Sequence, residues 1–276
     1  STREKKGDLD GAVQDFTRAI ELDPKAVEAY CNRGYIRHTK GDLIRAIEDY
    51  TRAIERDPEH SMAFGRRGEA RVAIGDFTGA IEDYTSEMKL NPQDATVFNN
   101  RGYARKASGD VVGAIEDFAR AVELDGKSTS AYCNRGLARE IQGDMDGSIE
   151  DFSRAIDLDP KCVLALQGRA RRRAAKGLVD GAIDDITRVI ELTPDDAAAF
   201  LARGTARGGK GDMSAAIDDL TRAIALDPGL TAALYNRGNA RKATGDLDGA
   251  IEDFTRAIEI GARDSRPPDT GPRRRP

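Results

Sequence analysis

Residues 129–162 read TSAYCNRGLAREIQGDMDGSIEDFSRAIDLDPKC, and the same arrangement returns every 34 residues along the chain. Within the stretch an aromatic (Tyr132), a glycine (Gly136), a small–x3–aromatic–x2–small run (Ser148, Phe152, Ala155) and a proline (Pro160) hold fixed offsets. A fixed period of this length marks a repeat architecture. It overrides the ordinary reading of a 276-residue chain as one or two globular domains. In such an array each repeat buries its apolar face only against its neighbours, so stability grows as a sum of repeat and interface contributions.

Each period reads as two helices, A and B, because apolar residues recur at i, i+3, i+4 and i+7, as in Ile47, Tyr50, Ile54 and again in Ile251, Phe254, Ile258. Between the two stands a glycine, from Gly7 to Gly245, usually followed by aspartate, as at Gly41-Asp42. The glycine is free to adopt positive φ and end helix A, and the carboxylate is placed to cap helix B. Asp57-Pro58 then stops helix B, since proline cannot continue it and disfavours helical geometry in the residue before it. Small residues, Gly34, Gly68, Gly102, Gly136, Gly204 and Gly238 on helix A and alanines such as Ala46 and Ala114 on helix B, are expected to let the helices approach closely. Residues 163–230 are expected to be the softest part. There Ala170 replaces the glycine, Leu166 and Ile186 replace aromatics, and Gly208, Gly209 and Gly211 crowd the end of a helix A.

These offsets closely resemble the tetratricopeptide (TPR) repeat. The resemblance implies an all-α solenoid, a right-handed superhelix of antiparallel helix pairs whose concave face is lined by helix A. The expected organisation is a partial repeat at 1–26, supplying the end of a helix A and a whole helix B. Seven tandem repeats follow at 27–60, 61–94, 95–128, 129–162, 163–196, 197–230 and 231–264, and then a disordered basic and proline-rich tail at 265–276. The chain opens on Ser1 inside a repeat, so a fragment of a larger parent is expected. No polar helix is visible to cover the last repeat, which makes self-association through uncapped ends an expectation.

Composition restricts the function. With 43 basic against 48 acidic residues and a net charge of −5, nothing pulls the chain as a whole toward nucleic acid or an anionic membrane. No apolar run nears the roughly 18 residues that span a bilayer. Cys31, Cys133 and Cys162 lack CxxC spacing and are expected as free thiols, which favours a reducing, cytoplasmic compartment. His38 and His60 have no ligand partners at metal spacing, so no metal or cofactor is expected. The Glu-Asp and Asp-Asp pairs of helix B, such as Glu48-Asp49 and Asp218-Asp219, recur in nearly every repeat, whereas a catalytic pair would be singular. The chain is therefore not expected to be an enzyme.

Where the family places apolar residues before and three residues after the helix-A glycine, this chain carries Arg33 and Arg37, Arg67 and Arg71, Arg101 and Arg105, Arg135 and Arg139, Arg169 and Arg173, Arg203 and Arg207, Arg237 and Arg241, with Arg3 left over. Helix B repeats Asp15, Asp49, Asp83, Asp117, Asp151, Asp185, Asp219 and Asp253, each preceded by another acid except at Gln14. Fifteen arginines against fifteen acids point to an internal salt-bridge ladder. The alternative is an anion-binding track for polyanion or RNA, and Arg169, Arg171, Arg172, Arg173 and Lys176 form the densest basic cluster.

The resemblance further implies a non-catalytic scaffold that binds a protein or peptide segment on the helix-A face, where the variable positions choose the ligand. These include Glu28, Cys31, Tyr35 and His38, then Met62, Gly65 and Glu69, then Cys133 and Leu137. Tyr35, Asn99, Tyr103, Arg171 and Asn239 are the expected contacts, as the larger varying side chains there. Asn32, Asn100, Asn134 and Asn236 are expected either to bond a peptide backbone or to satisfy nearby polar groups. The dicarboxylate clamp of chaperone-binding members needs a lysine three residues before the helix-A glycine, and no repeat has one.

Overall fold

A computed structural model describes residues 9–264; Arg3, Gly7 and the tail 265–276 lie outside the described residues. Among the described residues there are fifteen helices and no strands. They fall into two compact units divided after Leu158. The first holds α1 (Leu9–Leu22), α2 (Val27–Thr39), α3 (Leu43–Arg56), α4 (Ser61–Ala73), α5 (Phe77–Leu90), α6 (Ala95–Ser108), α7 (Val111–Leu124), α8 (Thr129–Gln142) and α9 (Met145–Leu158). The second holds α10 (Val163–Ala175), α11 (Val179–Leu192), α12 (Ala197–Gly209), α13 (Met213–Leu226), α14 (Thr231–Thr244) and α15 (Leu247–Asp264). Within each unit a helix packs mainly on its two neighbours in sequence, with a lighter contact between successive A helices, as α6 makes with α4 and α8. This is the all-α solenoid arrangement.

The turns follow from local chemistry. Gly41, Gly75, Gly109, Gly143, Gly177, Gly211 and Gly245 all hold φ between +77° and +95°, which a side chain would oppose. Asp76, Asp110, Asp144, Asp212 and Asp246 then accept a hydrogen bond from the backbone N–H three residues on, which caps helix B. Asp42 departs from the expected role: it makes no such cap and lies 3.4 Å from the Arg45 guanidinium instead. Leu178, which follows Gly177, has no carboxylate to offer. At the other end of helix B, Asp57 turns extended and its Oδ1 accepts the Glu59 N–H at 3.0 Å, closing the short turn into the next helix A.

Close approach of A to B depends on the helix-A glycine. A Cβ built at Gly102 would sit 2.8 Å from the Phe118 ring, and the same conflict arises at Gly34 with Tyr50, Gly68 with Tyr84 and Gly238 with Phe254. Ala46, Ala80, Ala114 and Ala216 on the facing helices are wholly buried. Where Ala170 supplies the methyl group, Ile186 replaces the aromatic ring, so one change makes room for the other. α12 runs unbroken through Gly208 to Gly209. On α15, Ile251 and Ile258 are 63% and 72% exposed. Replacing Gly102 by alanine is expected to lower stability by about 1–3 kcal/mol through overpacking against Phe118, read as a reduced denaturation midpoint. The same change at Gly208, where the nearest atom is the Ala216 Cβ at 3.7 Å, should be neutral or stabilising.

Candidate functional site: the helix-A face and its arginine network

The arginines before and after the helix-A glycine are one turn apart, and both turn toward the B helix of the same pair. In α6, Arg101 Nη2 donates to Asp117 Oδ1 at 2.6 Å and its Nε to Oδ2 at 2.9 Å. Arg105 Nη1 donates to Asp117 Oδ2 at 3.0 Å and to the Gly113 carbonyl at 3.1 Å. Arg101 Nη1 also reaches back to Thr85 Oγ1 on α5 at 3.1 Å, so a single guanidinium ties its own pair to the preceding one. The two-to-one pattern repeats at Asp49, Asp83, Asp151, Asp185, Asp219 and Asp253. The reach to the preceding helix recurs at Thr17, Thr51, Thr187 and Thr221. Arg135 meets Ala119 at that register, which offers no hydroxyl.

The geometry corrects the one-to-one count. Each of these aspartates from Asp49 onward is at most 4% exposed and serves two arginines. The acid before it, Glu48, Glu82, Glu116, Glu150, Asp184, Asp218 or Glu252, is exposed. Consecutive helical residues point about 100° apart, so only one of two adjacent acids faces helix A. Asp15 is exposed, and Arg3, its counterpart in sequence, lies outside the described residues.

With these guanidinium groups turned inward, the variable residues define the rest of the helix-A face. In the first unit Tyr35 and Tyr103 are 42% and 45% exposed. Arg66 lies over the Tyr35 ring at 4.4 Å, and Lys106 over the Tyr103 ring at 5.2 Å. Asn99 and Tyr103 share a cavity of about 310 Å³ with Glu69, Val72, Asn100 and Asn134. Asn134 Nδ2 donates to Asn99 Oδ1 at 3.0 Å, bridging α8 to α6. In the second unit Asn236 Nδ2 bridges α14 to α12 through Thr205 Oγ1 at 2.9 Å. Arg171 and Asn239, both exposed, line different cavities of the second unit. Cys31, Cys133 and Gly65, placed by register among the groove positions, are buried and present nothing to a partner. Burial pushes the Cys31 thiol up to about 11, and none of the three cysteines is in a disulfide.

One feature of this face escaped the helix-A reading because it comes from helix B. Glu87 stands where Ala53, Ala121, Ala155, Val189, Ala223 and Ala257 stand in the other B helices. Its carboxylate occupies the space that a side chain at Gly65 would need, 2.5 Å from an ideal Cβ there. It lines a cavity of about 270 Å³ with Met62, Arg66, Glu69, Asp94 and Asn100. The joint departure of Gly65 and Glu87 from their repeat positions was the available signal. Desolvation first, then the charges of Asp94, Glu69 and Asp83, push the Glu87 carboxyl up to about 7.

Among the described residues no group of His, Cys, Asp and Glu is arranged to hold a metal ion. No helix among them is long and apolar enough to cross a membrane. Two family profiles described as Tetratricopeptide repeat match, one at residues 27–60, 129–162 and 231–261, the other at 65–131 and 167–231. A third, described as TPR repeat, matches 5–41. No curated protein sequence matches. A TPR-repeat protein of Parabacteroides merdae is similar in structure at 21% identity, covering 85% of this chain and 93% of that one with a TM-score of 0.63. The C-terminal part of a TPR-repeat protein from Cytophaga hutchinsonii is 15% identical, with 83% and 94% coverage and a TM-score of 0.72. YrrB, described as a TPR protein with an unusual peptide-binding site, is 23% identical, with 67% and 95% coverage and a TM-score of 0.56.

Because its folded-state value lies above the ordinary 4.5, Glu87 contributes stability that is fully present below about pH 4.5 and lost as pH rises through about 7. Glu87→Gln, which keeps the shape and removes the ionisation, should flatten the fall in melting temperature across that window and raise the value at pH 8. An unchanged pH profile would show that Glu87 ionises freely.

Proposed function

The chain belongs to the tetratricopeptide-repeat family, and on that premise we propose that it is a protein-interaction scaffold whose helix-A face binds an extended or helical segment of a partner protein. The observation that carries this reading is a division of labour on helix A. The invariant arginines spend their donors on the aspartates of helix B, whereas the exposed aromatic side chains Tyr35 and Tyr103 vary between repeats. Rigid, half-exposed aromatics lose little entropy on binding and are favoured as interface anchors. The cavities beside them are walled by amides and carboxylates that can meet a peptide backbone.

The arginine network is structural in this proposal. A polyanion track would need guanidinium groups facing solvent, and the ladder arginines already hold carboxylates at 2.6–3.0 Å, so the polyanion reading has less support. The family's members typically act as non-catalytic scaffolds, and the proposal is of a binder rather than a catalyst.

Dodecapeptides selected from a random display library on the immobilised protein provide the test, with affinities followed by fluorescence anisotropy. Changing Tyr35 and Tyr103 together to alanine should weaken selected peptides by about tenfold or more. Glu116→Ala with Glu123→Ala, on the exposed side of α7, should leave binding unchanged. The reverse pattern would place binding on the helix-B side and overturn the proposal.

A further inference from the structure

Two acids of the first unit stand where no other repeat has one. Glu69 on α4 takes the register of Tyr35, Tyr103, Leu137, Arg171, Thr205 and Asn239, and Glu87 on α5 takes that of small apolar residues such as Ala53 and Ala121. Both line the cavity of about 270 Å³ that opens beside Gly65, with Asp94 and Asn100. Among the described residues neither carboxylate has a hydrogen bond or an ion pair. Each of the charges that shifts Glu87 is negative. Of these acids, Asp83 is held by Arg67 and Arg71, and Asp94 accepts the Thr96 N–H in capping α6. The cation on the cavity wall is Arg66, whose guanidinium lies toward α2, 4.4 Å over the Tyr35 ring, where its charge acts on Cys31 and Tyr50.

A second observation points to the same place. Tyr84 is 2% exposed, and its hydroxyl has no hydrogen bond among the described residues. Phe118, Phe152 and Phe254 fill the same position against the helix-A glycine without a hydroxyl, so packing does not require one. Tyr84 faces the adjoining cavity of about 310 Å³, which shares Glu69 and Asn100 with the first. Burial, then the charges of Glu69 and Glu87, keep the phenol protonated, so both carboxylates lie near it. Lys106, over the Tyr103 ring of that cavity, is lowered by burial alone and answers none of these acids. The Glu69 and Glu87 carboxylates, the Tyr84 oxygen and the Asn100 amide oxygen thus form a set of acceptors. The acids among them are not arranged to hold a metal ion. A guanidinium presents five N–H donors in one plane and is more weakly hydrated than an ammonium, which suits acceptors spread over a partly desolvated wall.

We infer that the trough between α4, α5 and α6 seats an arginine side chain of the partner segment, with Glu87 and Glu69 pairing its guanidinium and Tyr84 and Asn100 accepting from its edge. The inference rests on the helix-A reading proposed above and assigns the partner's chemistry at one position. A guanidinium favours the ionised form of Glu87, so binding releases the proton that the free carboxyl retains up to about pH 7. Affinity therefore rises as pH rises through that value.

The test uses the full chain and fluorescein-labelled Gly-Ser peptides with a central Leu-Arg-Leu, followed by anisotropy. Control probes replace the arginine by citrulline, which keeps the shape and loses the charge, or by lysine. The arginine probe should bind at least about tenfold more tightly than the citrulline probe and more tightly than the lysine probe, with an affinity that rises between about pH 6 and pH 8. Glu87→Gln should abolish that pH dependence and bring the arginine probe to within about threefold of the citrulline probe, with a melting temperature at pH 8 no lower than the parent's. Tyr84→Phe, which keeps the ring against Gly68, should weaken the arginine probe and leave the citrulline probe unchanged. Absence of binding, an arginine probe no tighter than either control, or indifference to Glu87→Gln or Tyr84→Phe overturns the inference. If library-selected peptides that lack arginine still lose affinity on the joint Tyr35→Ala, Tyr103→Ala change, the broader helix-A reading stands and only the arginine seat falls.

Discussion

A buried aspartate shared by two arginines is the constraint on which each helix pair depends. Asp117 is 3% exposed and cannot remain charged there without partners, since desolvating a lone carboxylate costs several kcal/mol. Arg101 and Arg105 supply three hydrogen bonds between them, one guanidinium in a forked geometry and the other from the side. The second arginine also clasps the Gly113 carbonyl at the start of α7, and Asp110 caps the same turn. The network therefore fixes the register of helix A on helix B as well as the entry of helix B. Through Thr85 it extends to the preceding pair. A shift of either helix by one residue would leave the carboxylate facing the wrong side chain.

This arrangement frees the rest of helix A. The glycine between the two arginines takes the ring of the facing aromatic, and the arginine stems cover apolar surface while their heads point inward. What remains exposed can vary without disturbing the pair, and it does so in three ways. Tyr35 and Tyr103 offer aromatic faces, Gly65 with Glu87 offers a desolvated carboxylate, and Ala198 with Ala202 lines an apolar hollow. Such a division suits a scaffold, because affinity can be redistributed along the face while the frame beneath it stays the same.

Most of the fold was legible because its signals are local. Glycine at each A-to-B turn, Asp-Pro after helix B and the apolar spacing within each helix act over a few residues, and the 34-residue period repeats them. The arginines and their acidic partners were visible as a pattern, but the choice between two adjacent acids was not, since it depends on which way helix B is rotated. Asp42 shows the same limit, for a capping residue in sequence can be drawn to a neighbouring arginine in space. Cys31 and Cys133 share the register of Asn99 and Tyr235 yet are buried, because a short apolar side chain sinks between helices where a longer polar one turns outward. Glu87 was hidden for a related reason: it and Gly65 depart from the repeat on different helices, and only packing shows that they meet.

The most direct test of the account is a double-mutant cycle between Arg101 and Asp117, with Glu116→Gln as the adjacent control, read from urea-unfolding midpoints and slopes. The account predicts that Asp117→Asn and Arg101→Met each destabilise the protein strongly, by about 3–5 kcal/mol as for one partner removed from a buried pair. The double variant should recover part of that loss, with a coupling of at least about 1 kcal/mol, whereas Glu116→Gln should stay within about 0.5 kcal/mol of the parent. Additive losses with no coupling, or equal effects at Glu116 and Asp117, would contradict it.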